Sequence, residues 1–126
     1  MDGFTVNGRS YRLPAGPVVV VCVDGCEEAY LDEALARGKM PRMADMLEGR
    51  WRGTARGALP SFTNVNNAAI VTGATPAVTG MSGNFFLDPD TGREVMMNSS
   101  DFLRCETILA AIREVANEMN LLDEST

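Results

Sequence analysis

The sequence predicts an α/β domain with a mostly parallel sheet, flanking helices and peripheral β-hairpins. Three observations predict it. Residues 18–23 read Val-Val-Val-Val-Cys-Val, a continuous β-branched run of the kind that forms a strand buried on both faces of a parallel sheet. Apolar residues at helical spacing follow over 27–37 and again over 107–122. Asn7-Gly8 and Asp88-Pro89-Asp90-Thr91-Gly92 each separate two short β-prone runs, as hairpin turns do.

Composition narrows the class. The chain has 126 residues, 45% of them hydrophobic and 22% charged, enough apolar surface for one folded domain. Its formal net charge is −6, so no basic surface is available to hold a nucleic-acid backbone. There is no His at all, which removes the commonest catalytic base and a leading zinc ligand. The three Cys are an odd number with no paired metal-binding spacing, as expected of reduced thiols in a cytoplasmic protein. No run approaches the length of a membrane span, and the N-terminus lacks a secretion signal pattern.

Taken in order, residues 1–16 are expected to hold a peripheral hairpin, its Asn7-Gly8 turn of type I′ because both central residues tolerate positive φ. Residues 17–122 are expected to form the core. After the valine run comes Asp24-Gly25: a carboxylate at the C-terminal end of a central parallel strand sits where open α/β sheets bind ligands, but it equally suits a turn or a helix cap. A helix is predicted over 27–37, stopped by Gly38, and a second from Pro41 with Met43, Met46 and Leu47 on one face, ended by Gly49. Residues 51–59 suggest a second strand. They lead into Leu59-Pro60-Ser61-Phe62-Thr63-Asn64-Val65-Asn66-Asn67, a loop opening into a short helix.

Thr63 is thereby expected at a helix N-terminus, where it either caps the helix or, if activated, acts as a nucleophile beside the positive end of the macrodipole. Residues 73–83 are rich in Gly, Pro and Thr without regular period, and no G-x-x-x-x-G-K-[ST] pattern makes them a nucleotide loop. Asn84 opens the second hairpin; it is either a turn residue or an amide donor to an oxyanion. The last helix, over 107–122, carries Ile108, Leu109, Ile112, Val115, Ala116, Met119 and Leu122 on an apolar face that needs a sheet to cover. No strand pattern follows it, so the domain reads as incomplete.

Val23-Asp24-Gly25, Met40-Pro41-Arg42-Met43, the Leu59 to Asn67 stretch, Ile70-Val71-Thr72-Gly73 and Gly83-Asn84-Phe85-Phe86 together resemble the N-terminal part of the phosphonoacetate hydrolase family. That family lies in the alkaline phosphatase superfamily, near the nucleotide pyrophosphatases/phosphodiesterases. The resemblance implies an incomplete alkaline-phosphatase-like domain and a two-zinc site that cleaves a carbon–phosphorus bond, yielding acetate and phosphate. It implies Asp24 as a zinc ligand, Thr63 as the metal-bound nucleophile and Asn84 as a donor to a phosphonate oxygen. Zinc lowers the pKa of a bound hydroxyl, which suits a Thr with no His beside it.

The departures are specific. The family's further zinc ligands, Asp and His, have no counterparts here; Thr79 stands where a His is usual; and no Lys follows Lys39 to grip a substrate carboxylate. The expectation is therefore a truncated chain, inactive alone, whose parent acts on a small phosphonate. The alternatives are a piece of a related phosphodiesterase and a catalytically silent remnant that binds a partner or forms a homo-oligomer.

Overall fold

The computed structural model describes residues 3–119. They form two compact units, one built from residues 3–18 and 57–119, the other from residues 19–56. Among the described residues the first unit carries four strands in two separate antiparallel hairpins, three α-helices and one 3-10 turn at Ser100–Phe102. The second carries two helices.

This corrects the expected sheet. Among the described residues the only ladders are antiparallel and two-stranded, and neither 18–23 nor 51–59 joins one. The valine run lies exposed: Val19 keeps 85% of its surface and Val21 78%. β-Branched residues favour an extended backbone, but a strand exists only when a neighbour takes its N–H and C=O groups and something covers its faces. The two hairpins obtain that neighbour from a turn of a few residues. A parallel pair has to obtain it through a long crossover.

In the first unit, β1 (Gly3–Val6) pairs with β2 (Arg9–Arg12) in the register Phe4↔Tyr11 and Val6↔Arg9. The turn is as expected, with φ of 51° at Asn7 and 74° at Gly8. The hairpin is not peripheral, however. Alternation along β1 points Phe4 and Val6 to one face, where both are buried against Ala111, Ile108, Ile112 and Val115 of the helix α5 (Ile108–Glu118). The apolar face of that helix thus finds its sheet at the opposite end of the chain. Thr107 caps the helix, its Oγ1 accepting the Ala110 N–H at 3.1 Å. The expected extension of the helix to 122 lies outside the described residues beyond 119.

The Asn7 side chain fastens the turn to the rest of the unit. Its Nδ2 donates to the Thr72 carbonyl at 2.9 Å and to the Glu106 carbonyl at 2.7 Å. Thr72 ends the helix that carries Thr63, and Gly73 follows with φ of 63°, closing that helix in the left-handed conformation. A Cβ at Gly73 would lie on the Tyr11 hydroxyl, so β2 and this helix end approach too closely for any larger residue.

The second hairpin, β3 (Phe85–Leu87) with β4 (Glu94–Met96), forms as expected. Its turn is held by the Asp88 carboxylate, which accepts the Thr91 hydroxyl at 2.6 Å and the Asp90 N–H at 3.1 Å. These bonds, the Thr91 one first, draw the Asp88 pKa below its ordinary value. Met97, just past β4, is buried with Ala68 and Met81, and Phe86, Phe102 and Leu103 pack around them. Between these elements the irregular 73–83 segment contains one helical turn, α4 (Pro76–Thr79), with Thr79 fully buried and its Oγ1 accepting the Met81 N–H at 3.2 Å.

In the second unit, α1 (Glu28–Ala36) and α2 (Pro41–Leu47) match the predicted helices, with Pro41 in the first turn of α2 and Gly38 and Gly49, both at φ of 63°, after their ends. Leu31, Leu35, Met43 and Leu47 are half-buried and share one cleft. Met46 departs from the expected stripe and is 68% exposed. Arg52 ties the following segment to α1 through Asp32 at 2.7 Å and Glu28 at 3.1 Å. Both carboxylates raise its pKa, Asp32 more than Glu28.

Candidate functional site

The helix α3 (Thr63–Thr72) buries Val65, Ala68 and Thr72, a stripe at helical spacing. Its opposite face and its first residue remain exposed. Thr63 is that first residue; the capping position belongs to Phe62, whose side chain has no oxygen to offer.

The capping oxygen comes from elsewhere in the unit. Asn84 Oδ1 accepts the Asn64 N–H at 3.1 Å, the second amide of the helix and the one an ordinary cap would bind. That bond fixes the orientation of the Asn84 amide: oxygen toward the helix, and Nδ2 left as the donor end. Asn64 returns the connection, its Nδ2 donating to the Met97 carbonyl at 2.8 Å, while the Met97 N–H donates to the Asn84 carbonyl at 2.8 Å. The helix start and the mouth of the second hairpin are thus joined. Asn84 and Thr63, 21 positions apart in sequence, are brought to one place.

Asp24 sits in the second unit, exposed, in the turn that Gly25 makes at φ of 68°. It does not end a strand of a parallel sheet. Among the described residues no group of three or more Asp, Glu, Cys or His is arranged to hold a metal ion. Cys22 and Cys26 are exposed and Cys105 is half-buried, and none of the three forms a disulfide among the described residues. No helix among the described residues is long and apolar enough to cross a membrane.

Two residues of the site had no role assigned from sequence, Asn64 and Asn66. Asn66 Oδ1 accepts the Ala58 N–H at 2.8 Å, and its Nδ2 donates to Ser61 Oγ at 3.3 Å and to the Phe62 carbonyl at 3.0 Å. The signal was present in the sequence. Three Asn within four positions at the start of a helix run against helix propensity, and Asn favours such places when its side chain has backbone groups to bind.

Residues 18–118 match the family model of type I phosphodiesterase / nucleotide pyrophosphatase. Among solved structures, the chain is similar to phosphonoacetate hydrolase from Sinorhizobium meliloti 1021 in complex with phosphonoacetate, at 47% identity and a TM-score of 0.77 over 90% of this chain. The complex of that enzyme with phosphonoformate gives 48% identity and the same TM-score. The chain spans 28% of the length of either structure. With the match running from the valine run to the end of α5, the chain belongs to the type I phosphodiesterase / nucleotide pyrophosphatase family.

Proposed function

We propose that this chain is the nucleophile-bearing portion of a phosphonate hydrolase acting on phosphonoacetate, with Thr63 as nucleophile and Asn84 as a donor to a phosphonate oxygen. The observation that carries the reading is the Asn64 N–H to Asn84 Oδ1 bond. It sets the amide of Asn84 beside the first turn of α3, where Thr63 is exposed at the positive end of a helix dipole. The similarity to an enzyme crystallised with phosphonoacetate and with phosphonoformate supports that substrate class.

In this reading the Thr63 oxygen attacks phosphorus and the P–C bond breaks. The carbon keeps the P–C electron pair and takes up, by way of water, the proton that the Thr63 hydroxyl gives up, so that acetate leaves. Water then displaces the Thr63 oxygen from phosphorus, giving phosphate and restoring the hydroxyl. The helix N-terminus and the Asn84 amide oppose the charge on the phosphoryl oxygens during both displacements.

The zinc pair implied by the resemblance does not fit the described residues on their own. Asp24 and Thr63 offer two oxygen donors, they belong to different compact units, and the chain has no His. A catalytic zinc takes three protein ligands. In this reading Asp24 is a ligand only of a site completed by donors from outside these residues.

The test is release of phosphate from phosphonoacetate by the purified chain with added zinc, beside Thr63→Ala. Turnover that disappears in the variant supports the nucleophile; turnover that survives it refutes the assignment. A folded chain with no turnover supports the need for outside donors. A second reading, a silent protein that self-associates, is favoured by the exposure of Val19, Val20 and Val21, each at 75% or more. Sedimentation showing a zinc-independent oligomer would support it.

A further inference from the structure

Asn66 lies one turn into α3 and takes no part in the chemistry just described. Its side chain nonetheless holds both ends of the loop that delivers Thr63. We propose that Asn66 is a positioning residue for Thr63, a proposal that rests on Thr63 being the nucleophile. Oδ1 takes the Ala58 N–H at the start of the loop, at 2.8 Å. Nδ2 reaches the other end, at Ser61 Oγ and at the Phe62 carbonyl. The Asn66 backbone N–H binds the same Phe62 carbonyl at 3.0 Å. Phe62, the residue bonded to Thr63, is thus held twice by one residue.

The arrangement admits little else. With its oxygen accepting and its nitrogen donating, the Asn66 amide has one orientation. Asp keeps the acceptor and loses the donors; Ala loses both. A Cβ added at Gly57 would come within 2.9 Å of Asn66 Oδ1 and 3.6 Å of Ser61 Oγ, so the chain leading into the loop is also shaped to this amide. Asn84 and Asn64 hold the helix start from the hairpin side; Asn66 holds it from the loop side. A nucleophile displaced by roughly 1 Å can lose about a hundredfold in rate, which is the reason to fasten the residue before it so closely.

The experiment is NMR on the full 126-residue chain, reading Ala58 N–H exchange, the side-chain couplings of Thr63 and the helical shifts of α3. In Asn66→Ala, Ala58 exchange is expected to rise roughly tenfold, as for loss of one ordinary hydrogen bond. The Thr63 couplings should move from a single rotamer to averaged values while Ile70 and Val71 keep helical shifts. Asn66→Asp should keep Ala58 protected and still release Thr63. Gly57→Ala, which crowds the Asn66 amide while residue 66 stays Asn, should also disturb Thr63.

A merely stabilising Asn would lower the melting temperature and leave the Thr63 couplings as they were, and that result overturns the proposal. If Asn66→Ala does not fold, the other two variants decide in the same way. The couplings report the clamp whether or not Thr63 is the nucleophile, and phosphate release by Thr63→Ala against wild type, with the outside donors supplied, reports the nucleophile whether or not Asn66 clamps it.

Discussion

Replacing Asn7 tests how the N-terminal hairpin is built into its unit. Asn7 does two separable things: it occupies a left-handed conformation, φ 51°, and its Nδ2 donates to the carbonyls of Thr72 and Glu106. Asn7→Gly keeps the turn and removes both donations. At about 0.5–1.5 kcal/mol for each net hydrogen bond, the loss should be about 1–3 kcal/mol. Asn7→Ala removes the same donations but, unlike Gly, keeps a Cβ in the left-handed region without the local hydrogen bonding that lets Asn tolerate it, so it should lie roughly 1–2 kcal/mol below Asn7→Gly. Asn7→Asp tolerates the conformation but turns a carboxylate toward two carbonyl oxygens, so it should fall below Asn7→Gly in stability. Urea denaturation followed by far-UV circular dichroism gives the order: wild type, Gly, then Asp and Ala. The reasoning fails if Asn7→Gly is as stable as wild type within about 0.3 kcal/mol, since both carbonyls would then be satisfied equally well by water.

Gly73→Ala should cost at least about 1 kcal/mol from its left-handed conformation alone and more from the contact with the Tyr11 hydroxyl, so Tyr11→Phe should recover part of the loss in a double-mutant cycle. Met97→Ala opens a cavity beside Ala68 and Met81 and should lower unfolding free energy by about 2–5 kcal/mol in the same denaturation assay. For Asp88, the folded pKa is lowered, so its contribution to stability is present above the ordinary carboxylate value and is lost as the pH falls through the folded value. Thr91→Ala removes the largest cause, and a carbon-detected NMR titration should show the Asp88 pKa move up toward the ordinary value; an unmoved titration would contradict the assigned cause.

Where an element depends on neighbours within a few residues, the sequence by itself determined it. The Asn7-Gly8 turn, the Asp88 to Gly92 turn, Pro41 at the start of α2 and the Gly38 and Gly49 stops all rest on backbone preferences of the residues that occupy them. Thr63 at the start of a helix followed from the same local logic. So did the family, because the motifs around Asp24, Pro41, Thr63 and Asn84 all lie within residues 18–118, the stretch that matches the family model.

Tertiary structure alone decided what pairs with what. The valine run has the composition of a buried strand, but composition is silent about whether a partner strand is at hand, and here residues 18–23 stay exposed and unladdered among the described residues. The first hairpin had the composition of an edge ornament, yet it supplies the face that covers α5, more than 100 positions away. Asn84 was legible as a polar residue at the mouth of a turn; that its Oδ1 caps the helix of Thr63 was not, because a hydrogen bond between residues 20 apart depends on how two elements dock. A side chain's local conformational preference is written in its own neighbourhood. The partner that satisfies its donors and acceptors is set only when the chain has closed on itself.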